Sequence, residues 1–226
     1  MSDAIVRLPI RAEVRERVAR RIVTGSLAGG KPINLASLAR ELAVSVTPLR
    51  EALIELESDG FVEAYQGRGF LVRPLDAAEV NDIYPLIWTL EMLALRSSPE
   101  FSAAQLRELE QINADLEHQD DPFHALRLDS LWHEALLSGC TNRTLHETLK
   151  ALKQRARRYE YGYMKESGQR VSTMQHTGII HELRRGDRPA ATELLQENWS
   201  IGPKFLLPWL ESQKSKQRKP RSVGDR

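Results

Sequence analysis

The sequence predicts a mainly α protein in two parts: a small N-terminal unit of short helices closed by a β-hairpin, then a longer all-α antiparallel bundle. Three observations carry that reading. Leucines recur at helical spacing from Leu35 to Leu56 and give way to two short runs, Phe61 to Tyr65 and Phe70 to Arg73, joined by Gln66-Gly67-Arg68-Gly69. Pro74 then breaks the second run. From Asp76 onward there is no alternating strand pattern and no internal repeat, only apolar stripes between marked helix starts.

The elements follow in order. Ile10, Val14, Val18 and Ile22 recur every four residues, a helix that ends near Gly25. Gly29-Gly30 loops into the next element. Leu35, Leu38 and Leu42 share one face of a short helix, and Ala43-Val44-Ser45 makes a tight turn. Thr47 offers an N-cap hydroxyl ahead of Pro48 at the first helical position, while Leu49, Leu53 and Leu56 mark a buried stripe. Gly60 stops that helix, since glycine tolerates positive φ. Short helix, turn, helix and hairpin make a winged helix-turn-helix, a module that reads DNA, over residues 8–74.

Helices are expected near 76–97, 102–119, 122–138, 142–166, 169–186 and 188–201, with a kink at Gly202-Pro203 if the last one continues. Asp76 with Glu79, and Ser102 with Gln105, read as capping boxes. Asp121-Pro122 is a cap with a first-turn proline, and Asn142 is a further cap. The short connections predict an antiparallel bundle over residues 75–211.

The 226 residues carry 41% hydrophobic and 28% charged residues, enough to bury two modest cores. A single cysteine, Cys140, excludes an intrachain disulfide and fits a reducing compartment. No apolar run reaches the length of a membrane span and the N-terminus lacks a signal pattern, so a cytoplasmic location without membrane contact is expected. Charge is uneven: residues 1–75 carry 11 Lys/Arg against 9 Asp/Glu, residues 76–211 carry 15 against 21, and residues 212–226 carry 6 against 1. The acidic middle is a poor nucleic-acid surface, whereas both ends can face phosphate. The tail from 212 has almost no apolar residues and reads as disordered.

The stretch VSVTPLREAL, Val44 to Leu53, followed by LESDGFVEAYQGRGFLV, resembles the GntR family of bacterial transcription regulators. Ser45, Thr47, Pro48, Arg50, Glu51, Ala52 and Leu53 match the family's usual wording, and Val46 stands where an arginine is common. The resemblance implies a homodimer on a palindromic stretch of double-stranded DNA. It assigns Arg40, Ser45, Thr47, Pro48 and Arg50 to the reading face, and Gly67, Arg68 and Gly69 to the wing. The second region resembles the FadR-type C-terminal ligand-sensing (FCD) domain in its shorter, six-helix version, through Leu128-Asp129, Trp132 to Leu136, Thr141-Asn142-Arg143 and the block from Gln175-His176.

Asp129 and His133, spaced i and i+4, project toward the expected bundle interior among Leu126, Leu136 and Leu137, and His176 lies on the inward stripe with Ile179 and Ile180. A buried carboxylate and imidazole are costly unless paired, metal-bound or open to a wet cavity. Two readings remain open at this stage: a satisfied buried hydrogen-bond pair, or ligands of a divalent ion of the zinc or nickel type. In the resemblance the fourth ligand is a histidine at the position of Asn198, and an arginine that meets an effector carboxylate stands at the position of Ile87, four residues before Glu91. Asn198 therefore joins Asp129, His133 and His176 as a candidate contact for a small-molecule effector. Arg155, Arg157 and Arg158 read as a basic cluster on a solvated or partner-facing helix side, and Tyr159 and Tyr163 as core or cavity wall. No nucleophile with a paired base appears, so a non-enzymatic regulator is the leading reading. A metal-dependent enzyme with an appended DNA-binding module and an effector-independent DNA-binding protein are the alternatives.

Overall fold

The computed structural model describes residues 10–65, 69–169, 171 and 173–218. It is mainly α and divides into two compact units, Met1–Pro74 and Leu75–Arg226.

In the first unit α1 (Ile10–Val23), α2 (Leu35–Glu41) and α3 (Val46–Ser58) pack Val14, Val18, Ile22, Leu38, Leu42, Leu49, Leu53 and Leu56 into one core, which Phe61, Val62, Phe70 and Val72 of the hairpin complete. Ile10, at the very start of α1, is exposed and lies outside that stripe. β1 (Val62–Ala64) and β2 (Phe70–Val72) pair antiparallel with Val62 opposite Val72 and Ala64 opposite Phe70. In β2 the buried Phe70 and Val72 flank a half-buried Leu71, so a slip of that strand by one would turn both toward solvent. Gly60 follows the α3 cap with φ +76°, as its place after the stripe predicts.

The start of α3 differs from expectation. Its N-cap is Ser45, with extended backbone and no side-chain cap bond, so the helix begins at Val46 and Thr47 is already inside it. Pro48 is then the third helical residue, and its missing N–H falls among the four first-turn donors that have no intrahelical partner. Freed from capping, the Thr47 side chain faces outward.

The second unit contains α4 (Ala77–Ser97), α5 (Ala103–Glu117), α6 (Pro122–Leu136), α7 (Arg143–Ser167), α8 (Met174–Arg184) and α9 (Arg188–Arg218). α4 packs on α9 and α7, α8 on α9 and α5, and α5 on α6, around a core from Val80 to Leu210 that includes Trp132, Leu136, Tyr159 and Ile179. Among the described residues no helix is long and apolar enough to cross a membrane.

Ser102 and Gln105 form the capping box that their spacing predicts, Asp121 caps α6 with Pro122 next to it, and Asn142 caps α7. The other capping box does not form. Asp76 does cap α4 by accepting from Ala78 N, but Glu79 turns away to Arg155 and the Tyr159 hydroxyl. A charge-assisted pair with an arginine is stronger than a bond to one amide, which explains the loss of reciprocity. The basic cluster is correspondingly not solvated: Arg155 is held by Glu79, Arg157 donates to Ser130 Oγ at 2.9 Å, and Arg158 is buried.

Two helix boundaries also move. Gly168, at φ +69°, ends α7 with a left-handed cap, and α8 starts only at Met174. α9 does not end at Gly202-Pro203 but runs on through Pro203 and Pro208 to Arg218, so residues 212–218 are helical rather than part of a disordered tail. Its far end is tied down by α7, since Trp209 Nε1 and Gln213 Nε2, four residues apart, both donate to Glu166. Gly202 is needed where it sits: a Cβ there would lie 2.8 Å from Tyr84 Cε1. The rest of the expected tail, residues 219–226, lies outside the described residues.

Candidate functional site

Two surfaces carry the candidate residues, one in each unit. In the first unit, Leu49, Ala52, Leu53 and Leu56 bury one side of α3, which leaves Val46, Thr47, Arg50 and Ile54 exposed on the other and Pro48 half-buried. Ser45 is exposed just before the helix, and Arg40 is exposed in the last turn of α2. Neither Arg40 nor Arg50 has an ion-pair or hydrogen-bond partner among the described residues. Other described arginines of this unit are paired, among them Arg11 with Glu55 at 2.8 Å, Arg15 with Asp59, Arg21 with Glu41 at 2.5 Å, and Arg73 with Glu63 at 3.7 Å. An unpaired guanidinium on a short exposed helix can meet a phosphate or fork onto a guanine edge, whereas a paired one has part of its donor fork engaged and its charge offset. At the wing, Gly69 has φ +119° and its carbonyl accepts from Tyr65 N at 2.8 Å, while Gly67 and Arg68 lie outside the described residues.

The second unit holds a cavity of about 400 Å³, open to solvent on one side, whose polar lining includes Tyr84, Asp129, His133, Glu160, Gln175 and Asn198, set among Trp199, Tyr163, Phe205 and Met164. α6 presents Asp129 and His133 one turn apart, as their spacing requires, and α9 brings Asn198 and Gly202 to the same wall. His176, on α8, is buried beside them, stacked on Trp132 with ring centroids 3.7 Å apart. One ligand atom from each of Asp129, His133 and His176 can be chosen so that all three lie within 4.8 Å of one another.

The hydrogen-bond network assigns the protons. Asn113 Nδ2 points at Thr177 Oγ1 and Thr173 O, so its Oδ1 accepts from His176 Nδ1 at 3.0 Å. His176 Nε2 is left with a lone pair, buried and without a hydrogen-bond partner, 3.6 Å from Asp129 Oδ1. Burial, reinforced by His133, pushes the His176 pKa well below its ordinary value, so the ring is neutral. His133 Nδ1 lies 2.8 Å from Glu91 Oε2, which commits that nitrogen to donation and leaves Nε2 as the ring's ligand atom. The residues present thus fit a divalent cation: a carboxylate oxygen and two imidazole nitrogens converge, and one of those nitrogens has no other partner.

Behind this cluster lies a set of groups that sequence reasoning did not find. Glu91 is fully buried on α4, paired with His133 and Lys153 and accepting from Trp199 Nε1 at 2.5 Å. Burial alone would raise its pKa, but the charges of His133 and Lys153 override that and hold it at about 2. Its signal was present in the sequence, because Glu91 continues the stripe of Val80, Ile83, Ile87 and Ala94, and a carboxylate on an apolar stripe marks a paired charge. Glu160 accepts from the Tyr84 hydroxyl at 2.8 Å, and burial followed by the Asp129 charge raises its pKa to about 7. Asp129 itself is pushed up by burial, against the opposing pull of His133 and Lys153.

Comparison with known proteins bears on both units. The family model "Bacterial regulatory proteins, gntR family" matches residues 10–72, and the FCD domain model matches residues 82–200. The chain is 32% identical over 169 residues to the Nta operon transcriptional regulator of Aminobacter aminovorans, covering 72% of this chain and 79% of that protein. It is 26% identical over 216 residues to an uncharacterised HTH-type transcriptional regulator, YdhC, of Bacillus subtilis, covering 91% of this chain and 95% of the relative. Among solved structures, a GntR family member from Pseudomonas syringae pv. tomato superimposes with a TM-score of 0.59 at 26% identity, over 92% of this chain and 89% of that one. Escherichia coli McbR/YncC shares the fold with a TM-score of 0.78 at 19% identity, over 90% of this chain and 100% of that one.

Proposed function

We propose a division of labour for this chain, which belongs to the gntR family of bacterial regulatory proteins and carries an FCD domain. It is a transcription regulator with a DNA-binding helix-turn-helix and an effector-binding domain. Our reading is that the exposed face of α3, with Thr47 and Arg50 foremost and Arg40, Ser45 and Pro48 beside them, contacts a half-site. Gly67, Arg68 and Gly69 would border the groove from the wing. Two copies would then present two such faces to a palindromic operator.

In the second unit, Asp129, His133 and His176 would hold a divalent ion of the zinc or nickel type, and Asn198 would complete the wall on which a small-molecule effector rests. The ion would supply a Lewis-acidic anchor for an effector oxygen. One observation carries this reading: the buried His176 Nε2 has no hydrogen-bond partner and sits 3.6 Å from an Asp129 oxygen. An unpaired imidazole lone pair facing a carboxylate is unfavourable until a cation lies between them. That tells against the alternative of a self-satisfied hydrogen-bonded pair. A metal-dependent enzyme draws no support from the relatives, which are named as transcriptional regulators.

Calorimetric titration of chelator-stripped full-length protein with zinc or nickel chloride tests the reading. Binding is expected in the natural chain, tighter in Asn198→His because imidazole replaces a weak amide oxygen, and absent in His133→Ala. Equal heats in His133→Ala and the natural chain would remove the ion from the proposal. In that case Asn198→Ala distinguishes an effector held without metal, since it should blunt the effector response and spare DNA binding in the absence of effector.

A further inference from the structure

One face of α4 belongs to neither the core nor the cavity. While Ile83, Ile87, Glu91, Ala94 and Leu95 turn inward, Asp82, Leu86, Thr89, Leu93 and Arg96 are all exposed. Their spacing alternates four and three residues, which draws a single straight stripe along the helix. Leu86 and Leu93 are 52% and 50% exposed, large apolar side chains left in water two turns apart. Asp82 and Arg96, at the two ends, have no ion-pair or hydrogen-bond partner among the described residues.

The order along this stripe, acid, leucine, threonine, leucine, base, is complementary to its own reverse. A two-fold axis through Thr89 would set Asp82 against the partner's Arg96, and Arg96 against the partner's Asp82. The same rotation would bring Leu86 beside the partner's Leu93. An isologous dimer needs this property, one patch complementary to itself when reversed, and a face meeting an unrelated protein does not. We propose that this face of α4 packs antiparallel on the same face of a second copy of the chain and forms the centre of the dimer interface.

The proposal rests on the homodimer reading above but is separable from it. Sedimentation equilibrium of the full-length protein over a dilution series tests both. Asp82→Arg and Arg96→Asp each turn two attractive contacts into two repulsive ones, so each should raise the dimer dissociation constant by about tenfold. The double variant Asp82→Arg with Arg96→Asp should restore the natural value. An equimolar mixture of the two single variants should also recover dimers, because each then meets its complement. Leu86→Glu should weaken the dimer more than either charge change. A dimer that is indifferent to all these variants, or a double variant as weak as the singles, overturns the assignment of this surface and leaves the homodimer standing. A natural chain that is monomeric throughout, with and without operator DNA, overturns both.

Discussion

The first unit displays its candidate functional charges, and the second hides them. On α3 the residues that hold the fold, Leu49, Leu53 and Leu56, are fully buried, and Arg50 on the opposite side is exposed and unpaired. Structure and proposed contact are there carried by different side chains. In the helical unit they are carried by the same ones: His133 and Glu91 are at once core residues and part of the cavity cluster. The difference teaches where specificity is cheap to change. A surface arginine can be replaced without touching the core, whereas any edit to the buried cluster must also satisfy a dry, crowded network.

The largest effect should come from the buried side. Glu91→Ala leaves Lys153, the His133 Nδ1–H and the Trp199 Nε1–H without their acceptor, and should cost about 3–5 kcal/mol of stability in chemical denaturation. A variant as stable as the natural chain would show that the network is not structural and would dissolve the contrast.

Gly202→Ala is next. Its methyl group would approach Tyr84 Cε1 to 2.8 Å, so overpacking of about 1–3 kcal/mol is expected, together with a narrower cavity and weaker effector binding.

Arg50→Ala should do the opposite of these core changes. Operator affinity in a gel-shift titration should fall by about 1–3 kcal/mol if the contact is bidentate to guanine. The melting free energy should stay within about 0.5 kcal/mol. A large loss of stability would show that the reading face is not separable from the fold.

The most gradual effect, spread over pH, concerns Glu160. Its folded pKa is raised to about 7 from an ordinary 4.5, so the folded chain keeps a proton that the unfolded chain releases. That contribution is full below about pH 4.5 and is lost as pH rises through 7, a change of about 3 kcal/mol across the window. Glu160→Gln, compared with the natural chain in metal-free buffer, should flatten this part of the stability–pH profile. An unchanged slope would locate the titration elsewhere.

Much of this was legible in the sequence, for local reasons. The caps at Ser102, Asp121 and Asn142 depend on neighbours three residues away, and the hairpin depends on runs that alternate around a short turn. The approach of Asp129, His133, His176 and Asn198 to one region follows from helix faces, because each lies on an inward stripe of its own helix. Helical periodicity says which way a side chain points but not which helix it meets. For that reason Lys153 with Glu91, Tyr84 with Glu160 and Asn113 with His176 were not anticipated: each joins residues more than 60 apart in the chain. The same blindness explains Glu79, which fits a local capping box but is captured by Arg155 from α7. At Thr47 and along residues 212–218 the failure was different. There composition and a proline suggested a boundary: α3 instead begins at Val46 after the Ser45 cap, and α9 runs past its expected end, tied to Glu166 of α7 through Trp209 and Gln213.

On the proposed function, the buried cluster in the helical unit governs what the exposed face of α3 does on DNA. Operator affinity of the full-length chain, measured with and without saturating zinc or nickel ion, tests it most directly, because a ligand that favours one state must shift DNA affinity by the same factor by which DNA shifts its own. A change of about fivefold or more is expected in the natural chain and none in His176→Ala, which should bind operator equally with or without the ion. An ion that binds the natural chain yet leaves operator affinity unchanged, alone and with the metabolites it recruits, would contradict the claim.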